Sequence, residues 1–212
     1  VVIMMFGLAG GSTIVSMPRF DLVEFLTLVQ KYHATILPLV PPVVLGMVKH
    51  PAVAQFDLSS VRLVFSGAAP LGEDIARELS KKLGCPVVQG YGMTEASPVT
   101  HLSPTHDAPL KPGSVGRVVP GTEVKMVDVV TLEEVAQGTE GELWIRGPQI
   151  MKGYLGRPEE TDACLDREGW YHTGDVGYVD SDGFFFIVDR TKELIKYKGL
   201  QVAPAELEAL LV

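Results

Sequence analysis

The spacing of apolar residues up to Gln89 predicts helices that alternate with short buried strands. Asp21 and Glu24 stand three residues apart, as in a helix-capping box. The apolar residues that follow recur at helical spacing: Leu22, Phe25, Leu26 and Val29. Runs of apolar and β-branched residues predict strands over 34–40, 61–65 and 86–89.

Two further helices are indicated by the residues at their ends. Pro41 and Pro42 suit the first turn of a helix, where the missing N–H costs nothing. A helix over 71–83 would carry acidic residues early and lysines late, with Gly84 just beyond its end. Strands and helices in alternation predict βαβ units and a largely parallel sheet, so the fold class is α/β.

The apolar stretch over 1–17 is interrupted by glycines at positions 7, 10 and 11. A stretch this short and interrupted favours a buried helix followed by a buried strand over 13–17, and not a membrane span.

The pattern changes after Gly90, where helical periodicity gives way to short strands. The clearest strands are predicted over 123–127, 141–146 and 184–188, with a turn at Asp182-Gly183. We therefore expect a β-rich subdomain from about residue 115. A last helix is predicted to begin at Pro204.

Charge and cysteine content exclude several function classes. The chain of 212 residues has 18 basic and 26 acidic residues and a net charge of −8, which argues against nucleic-acid binding. Cys85 and Cys164 are too few for a disulfide framework or a cysteine metal site, so a reduced intracellular setting is expected.

A first candidate loop, over 66–72, joins a predicted strand to a predicted helix. Its small residues Ser66, Gly67 and Ala68 would let a ligand approach the backbone, next to the free N–H groups of a helix N-terminus. A tight structural turn explains the same composition, and both interpretations stay open.

A second candidate loop, over 89–95, also follows a strand, at the sheet edge where open α/β folds bind ligands. Tyr91 offers a flat face for a base. Thr94 offers a hydroxyl for a phosphate, and Glu95 offers a hard oxygen ligand for Mg²⁺.

Two later segments add charged groups. Asp175 follows a predicted turn at Thr173-Gly174 and could accept hydrogen bonds from both hydroxyls of a ribose, although an Asp after Gly is often only a turn residue. The charged run over 189–199 could bind phosphate and ribose or form a solvated face.

In this order, these segments resemble the adenylate-forming superfamily of acyl-CoA synthetases, luciferases and adenylation domains. The likeness is greatest to plant-type 4-coumarate–CoA ligases, through the segments 141–147, 149–155 and 196–208. Trp144 departs from the pattern, because those ligases have Cys there.

The resemblance implies a two-step ligase reaction with ATP, Mg²⁺ and coenzyme A. A small-molecule carboxylate would attack the α-phosphate of ATP and form an acyl-adenylate, and the thiol of coenzyme A would then displace AMP. It implies 4-coumarate or a related hydroxycinnamate of phenylpropanoid metabolism as substrate. A fatty acid or oxylipin acid in a luciferase-like synthetase stays an alternative, as does a catalytically silent nucleotide-binding relative.

The resemblance also implies roles for individual residues. Catalytic roles fall on Thr94, Glu95, Lys196 and Gln201, with Glu95 as the Mg²⁺ ligand. ATP or AMP would contact Ser66, Gly67, Ala68, Gln89, Gly90, Tyr91, Gly92, Thr94, Asp175, Arg190 and Lys192. The acyl pocket would be lined by Phe65, Ala68, Gly90, Ser97, Pro98 and Val99. Lys198 and Gly199 would lie on the coenzyme A side.

Domain organisation follows from the same likeness. Residues 1–190 would be part of a large N-terminal adenylation domain, and 191–212 the hinge, at Lys192, with the start of a small C-terminal domain. We expect an internal fragment that is inactive alone, because the phosphate loop would precede Val1 and a late catalytic lysine would follow Val212. A cytoplasmic location is expected, with the peroxisome as the alternative and without stable membrane insertion.

Overall fold

The computed structural model describes residues 2–104, 111–191, 195–197 and 200–202, and the chain divides into two units between Gln89 and Gly90. The described part of the first unit contains four α-helices, α1 (Val2–Ala9), α2 (Leu22–Tyr32), α3 (Pro41–Lys49) and α4 (Glu73–Leu83), and a 3₁₀ helix over Pro51–Gln55. Its strands are β1 (Ile36–Leu39), β2 (Leu63–Ser66) and the first half of β3 (Val87–Gly92). The strands pair in parallel in the order β1-β2-β3, which confirms the predicted βαβ arrangement.

Helix ends in the first unit agree with the capping signals in the sequence. The Asp21 carboxylate accepts a hydrogen bond from the Glu24 N–H at 2.9 Å, which begins α2. Helix α3 starts at Pro41, and α4 ends at Gly84, whose φ of 68° is left-handed.

The core of this unit is formed by apolar side chains from the helices and the sheet. Leu26, Val44, Met47, Val64 and Leu79 are all 0% exposed. They belong to one contiguous cluster, so α2, α3, α4 and β2 share a core.

The predictions for 1–17 are wrong in two respects. Helix α1 forms, but it is exposed, with Phe6 at 74% and Leu8 at 62%. Residues 13–17 form no strand and are mostly exposed. Local apolar character favoured the helix, but burial needs covering atoms that this segment lacks among the described residues. None of the described helices has the length and apolar character to cross a membrane.

The second unit is antiparallel. The end of β3 pairs with β4 (Val99–Leu102), and β4 pairs with β5 (Arg117–Val118). A four-stranded sheet contains, in order, β6 (Glu123–Val127), β7 (Gly141–Arg146), β8 (Tyr171–Val179) and β9 (Phe185–Arg190). Strands β10 (Ile195–Tyr197) and β11 (Leu200–Val202) pair antiparallel, and helix α5 (Pro158–Asp162) precedes β8.

The β-rich character of this unit was predicted, but several of its strands were not: β4, β5, β8, β10 and β11. The bounds of β6 and β7 match the prediction. Strand β4 was missed, and the Thr173-Gly174 pair expected as a turn lies inside β8. Pairing of β8 with both β7 and β9 overrides the local turn preference. The helix expected from Pro204 lies outside the described residues.

The capping role of Asp21 leads to a stability prediction. Replacing Asp21 by Ala removes the acceptor for the Glu24 N–H and should lower the free energy of unfolding by about 1 kcal/mol. Urea titration of the chain measures this. As a control, Asp74→Ala removes an acidic residue from the first turn of α4 and should change stability by less than about 0.5 kcal/mol. Equal losses of unfolding free energy in the two variants would show that Asp21 stabilises the helix only through its charge and not through its hydrogen bond.

His101 predicts a pH dependence of stability. The side chain is 0% exposed and lies between the rings of Tyr91 and Phe185, and burial lowers its pKa from 6.5 to about 3. The unfolded chain therefore binds a proton that the folded chain excludes, so stability falls as the pH drops below 6.5. From about pH 7.5 to about pH 5.5 the loss should be about 1.4 kcal/mol.

The matched variant for this prediction is His101→Phe, which keeps an aromatic ring between its neighbours. Its unfolding free energy, measured by urea titration, should fall by about 1.4 kcal/mol less than that of the natural chain over the same pH range. If the unfolding free energies of the two proteins depend on pH in the same way, the lowered pKa of His101 is contradicted.

Candidate functional site

The loop after β2 has a left-handed residue at its centre and is held by hydrogen bonds from its backbone, among them one from the Gly67 N–H to the Leu39 carbonyl. Ala68 has a φ of 74°, a left-handed conformation that costs an alanine strain. The loop is held by Gln89, whose amide accepts from the Leu71 N–H at 3.0 Å and donates to the Leu71 carbonyl at 3.1 Å. Ser66 is 1% exposed, and its hydroxyl has no hydrogen-bond partner among the described residues.

The side chain of Gln89 therefore supports the loop. Its amide is engaged with the Leu71 backbone, and the predicted contact with a nucleotide stays a prediction. Gly67 lies in the same loop, and Phe65 is half-buried on β2 just before it.

The second loop is turned sharply around Gly92. A Cβ at Gly92 would lie 1.8 Å from the Pro98 carbonyl oxygen, so only glycine fits. The Met93 N–H donates to that carbonyl at 2.7 Å, and a single turn of 3₁₀ helix covers Thr94–Ala96. The closed turn leaves Thr94 exposed and Glu95 half-buried at the end of β3.

Asp175 is the best-anchored acidic residue of the site. Its carboxylate is nearly buried and accepts from the Tyr91 hydroxyl at 2.5 Å and from Arg190 Nε at 3.0 Å. The second contact follows from register, since Asp175 and Arg190 are paired across β8 and β9. Burial, and then the negative charge of Asp175, raises the pKa of Tyr91, so its hydroxyl stays a donor at neutral pH.

This arrangement leaves groups available for a ligand. A carboxylate has about four lone-pair positions, so Asp175 can accept further hydrogen bonds from hydroxyl groups. The Arg190 side chain is 66% exposed although its Nε is engaged, and guanidinium nitrogens can donate to an anion. Three residues named from three separate segments of the sequence thus meet at one point of the second unit.

Glu95 forms a second acidic centre. Its Oε1 accepts from the Tyr154 hydroxyl at 2.7 Å, and its backbone carbonyl accepts from the Met151 N–H at 2.7 Å. No described residue donates to Oε2. Tyr154 is a residue that sequence reasoning missed, although it stands within the segment 149–155 that carried the resemblance.

The acidic residues fit Mg²⁺ only together with a ligand. Among the described residues no group of three or more His, Cys, Asp or Glu side chains could hold a metal ion by itself. Mg²⁺ binds readily through one or two carboxylates plus substrate phosphates. Glu95, with one anchored and one open oxygen, has the chemistry for that arrangement.

The residues predicted for the acyl pocket lie in both units. Phe65 and Ala68 belong to the first unit. Gly90, Ser97, Pro98 and Val99 belong to the second, where Ser97 has a left-handed φ of 53° and Val99 begins β4. Their shared role stays a prediction.

The predicted C-terminal residues are only partly described. Lys192, Lys198 and Gly199 lie outside the described residues. The backbones of Lys196 and Gln201 are directly paired between β10 and β11. This pairing makes two of the predicted catalytic residues direct cross-strand neighbours in their backbone positions.

Trp144, which departs from the ligase pattern, is accommodated by stacking. Its ring lies 3.6 Å from the His172 ring at an interplanar angle of 13°, and Lys125 lies 4.7 Å above the indole. The three residues form a cross-strand row on β6, β7 and β8. The tryptophan, which is larger than the cysteine of the ligase pattern, therefore packs on the face of the sheet.

Comparison with known proteins identifies relatives of this chain. A 4-coumarate-CoA ligase 1 from Narcissus pseudonarcissus is 51% identical, covering 99% of this chain and 39% of the relative. A 4-coumarate–CoA ligase 1 from Petroselinum crispum is 53% identical, with 97% and 39% covered. The chain thus spans about two fifths of the length of these curated relatives.

Solved structures of other proteins are also similar to this chain. ATP-bound MatB from Rhodopseudomonas palustris superposes with a TM-score of 0.89 at 33% identity, covering 98% of this chain and 41% of that one. The anthranilate CoA ligase AuaEII with anthranoyl-AMP gives 0.87 at 27% identity, covering 95% and 39%. The model of the family described as AMP-binding enzyme matches residues 1–155, well over half of the sequence, and the chain therefore belongs to the AMP-binding enzyme family.

Proposed function

We propose that the complete protein is an AMP-forming acid–thiol ligase that activates 4-coumarate or a related hydroxycinnamate and transfers it to coenzyme A. The observation that carries this proposal is the group of Tyr91, Asp175 and Arg190, which combines an aromatic ring, a hydroxyl-binding carboxylate and an exposed guanidinium. The substrate class is supported by relatives named 4-coumarate-CoA ligase at 51–53% identity.

Nucleotide binding would use the donors and acceptors of this group. Asp175 would accept hydrogen bonds from ribose hydroxyls through lone pairs that Tyr91 and Arg190 leave open. Arg190 would donate to the ribose or phosphate oxygens. Because Tyr91 and Arg190 already fix the carboxylate, little side-chain freedom is lost when the ribose binds.

The adenylation step brings two anions together, so the protein must stabilise charge at the α-phosphate. Thr94, which is exposed at the start of its 3₁₀ turn, would donate its hydroxyl there, and Glu95 would hold Mg²⁺ against the phosphates. Mg²⁺ would neutralise part of the phosphate charge. Pyrophosphate is the leaving group, and the acyl-adenylate that forms is itself reactive toward the thiol of coenzyme A, so no nucleophilic side chain is required.

Thioester formation would follow, with coenzyme A as the second substrate. We assign Lys196 and Gln201 to contact with the carboxylate, phosphate or coenzyme A side of the site, on the support of the resemblance and of their pairing across β10 and β11. We assign the hinge between the two half-reactions to Lys192.

The role of Asp175 can be tested in the complete protein. Asp175→Asn keeps the shape but removes the charge, and should weaken ATP binding by roughly 10- to 100-fold, the equivalent of one lost charged hydrogen bond. Isothermal titration with ATP and Mg²⁺ measures this. Asp182→Asn is the control, because Asp182 is an exposed acid on the β8–β9 turn, and its change should leave the affinity within about twofold. ATP binding that survives Asp175→Asn would refute the ribose assignment.

Substrate choice can be tested by carboxylate-dependent AMP release with ATP, Mg²⁺ and coenzyme A. Hydroxycinnamates should have kcat/KM values at least about 10-fold above those of fatty acids of graded length. The reverse order would keep the ligase reaction and overturn the hydroxycinnamate assignment. AMP release with none of these acids, despite tight ATP binding, would instead favour a catalytically silent relative.

A further inference from the structure

Two contacts join Glu95 to a segment more than fifty residues further along the chain. The Met151 N–H donates to the Glu95 backbone carbonyl at 2.7 Å, and the Tyr154 hydroxyl donates to Oε1 at 2.7 Å across 59 residues. The backbone contact fixes where the residue sits. The side-chain contact fixes how its carboxylate is rotated.

Tyr154 is itself held firmly by its surroundings. Its N–H donates to the Thr161 hydroxyl oxygen at 2.9 Å, and that hydroxyl donates to the Arg157 carbonyl at 2.8 Å. Gly153 precedes it with a φ of 145°, and a Cβ there would lie 2.8 Å from Thr161 Cγ2. A side chain on residue 153 would push Thr161 away, so glycine allows the anchor of Tyr154 to form.

The hydroxyl of Tyr154 has a second tyrosine beside it. Tyr171 is 6% exposed, and its side chain and that of Tyr154 influence each other's pKa. The hydrogen bond to Glu95, followed by burial, raises the pKa of Tyr154, and burial raises that of Tyr171. Both are therefore neutral phenols, and Tyr154 directs its own hydrogen to Glu95.

We propose that Tyr154 is a positioning residue that orients the Glu95 carboxylate, with Oε1 engaged and Oε2 free to bind the Mg²⁺ of Mg-ATP; this rests on the function proposed above. The structure explains why orientation matters here. The described residues offer no cluster of ligands that could hold the ion without ATP, so a single carboxylate must approach with the right geometry. Mg²⁺ tolerates little departure from octahedral coordination. Partners that orient a ligand commonly change metal affinity by an order of magnitude or more.

The test measures metal binding directly in the complete protein. Mn²⁺ replaces Mg²⁺ as a spectroscopic probe, and α,β-methylene-ATP replaces ATP so that no turnover occurs. Tyr154→Phe should weaken Mn²⁺ binding, followed by electron paramagnetic resonance, by about 10-fold. Tyr32→Phe removes a hydroxyl from an exposed tyrosine on α2 and should change the affinity by less than about twofold.

A double-mutant comparison shows whether Tyr154 acts through Glu95. In a Glu95→Gln background, Tyr154→Phe should have little further effect on Mn²⁺ affinity, because the two changes remove one interaction. Additive losses would overturn the positioning role. If Glu95→Gln weakens Mn²⁺ binding and Tyr154→Phe does not, the positioning role of Tyr154 is wrong and the metal role of Glu95 in the proposed function stands. If Glu95→Gln has no effect, the metal role in the proposed function fails as well.

A second variant and a kinetic readout separate positioning from folding. Thr161→Val removes the anchor of the Tyr154 backbone and should weaken Mn²⁺ binding in the same direction, while thermal unfolding shows that each variant is folded. In AMP-release assays, high Mg²⁺ should restore most of the rate of Tyr154→Phe. A general structural defect would lower the rate at every Mg²⁺ concentration, and that result would contradict the proposal.

Discussion

The nearly buried carboxylate of Asp175 is the constraint around which the candidate site is organised. A charge removed from water must be compensated by donors, and here they come from Tyr91, 84 residues away, and from Arg190, 15 residues away. Meeting that requirement brings the end of β3 against β8 and β9 within the second unit. The contacts that compensate this charge thus use the same atoms that the proposed function assigns to nucleotide binding.

The two acidic residues of the candidate site have the same kind of hydrogen-bond partner. Asp175 and Glu95 each accept a hydrogen bond from a tyrosine hydroxyl, Tyr91 and Tyr154 respectively. A phenol orients a carboxylate without neutralising it, so the negative charge stays available. Arg190 adds a positive charge only at Asp175, where the expected ligand groups are neutral hydroxyls. Glu95 has no such cation among its described partners, which suits a residue that would bind a metal ion.

Local signals in the sequence predicted the local features well. The Asp21 cap, the proline start of α3 and the glycine end of α4 depend on neighbouring residues only, and each was confirmed. The exposed position of α1 could not be predicted in this way, because apolar composition favours burial and does not reveal whether atoms cover the helix. Strand β8 was missed because its Thr-Gly pair resembles a turn until both neighbouring strands are present.

The chemical groups of the candidate site could be identified from residue types alone, because the aromatic ring, the hydroxyl, the two carboxylates and the guanidinium all stand in short segments with specific composition. The contacts among those groups became visible in the folded chain. The register of β8 and β9 aligned Asp175 with Arg190, and the segment ending at Tyr154 met Glu95 across 59 residues. Residue type sets what a side chain can bind, but its partners depend on long-range pairing, which no local pattern encodes.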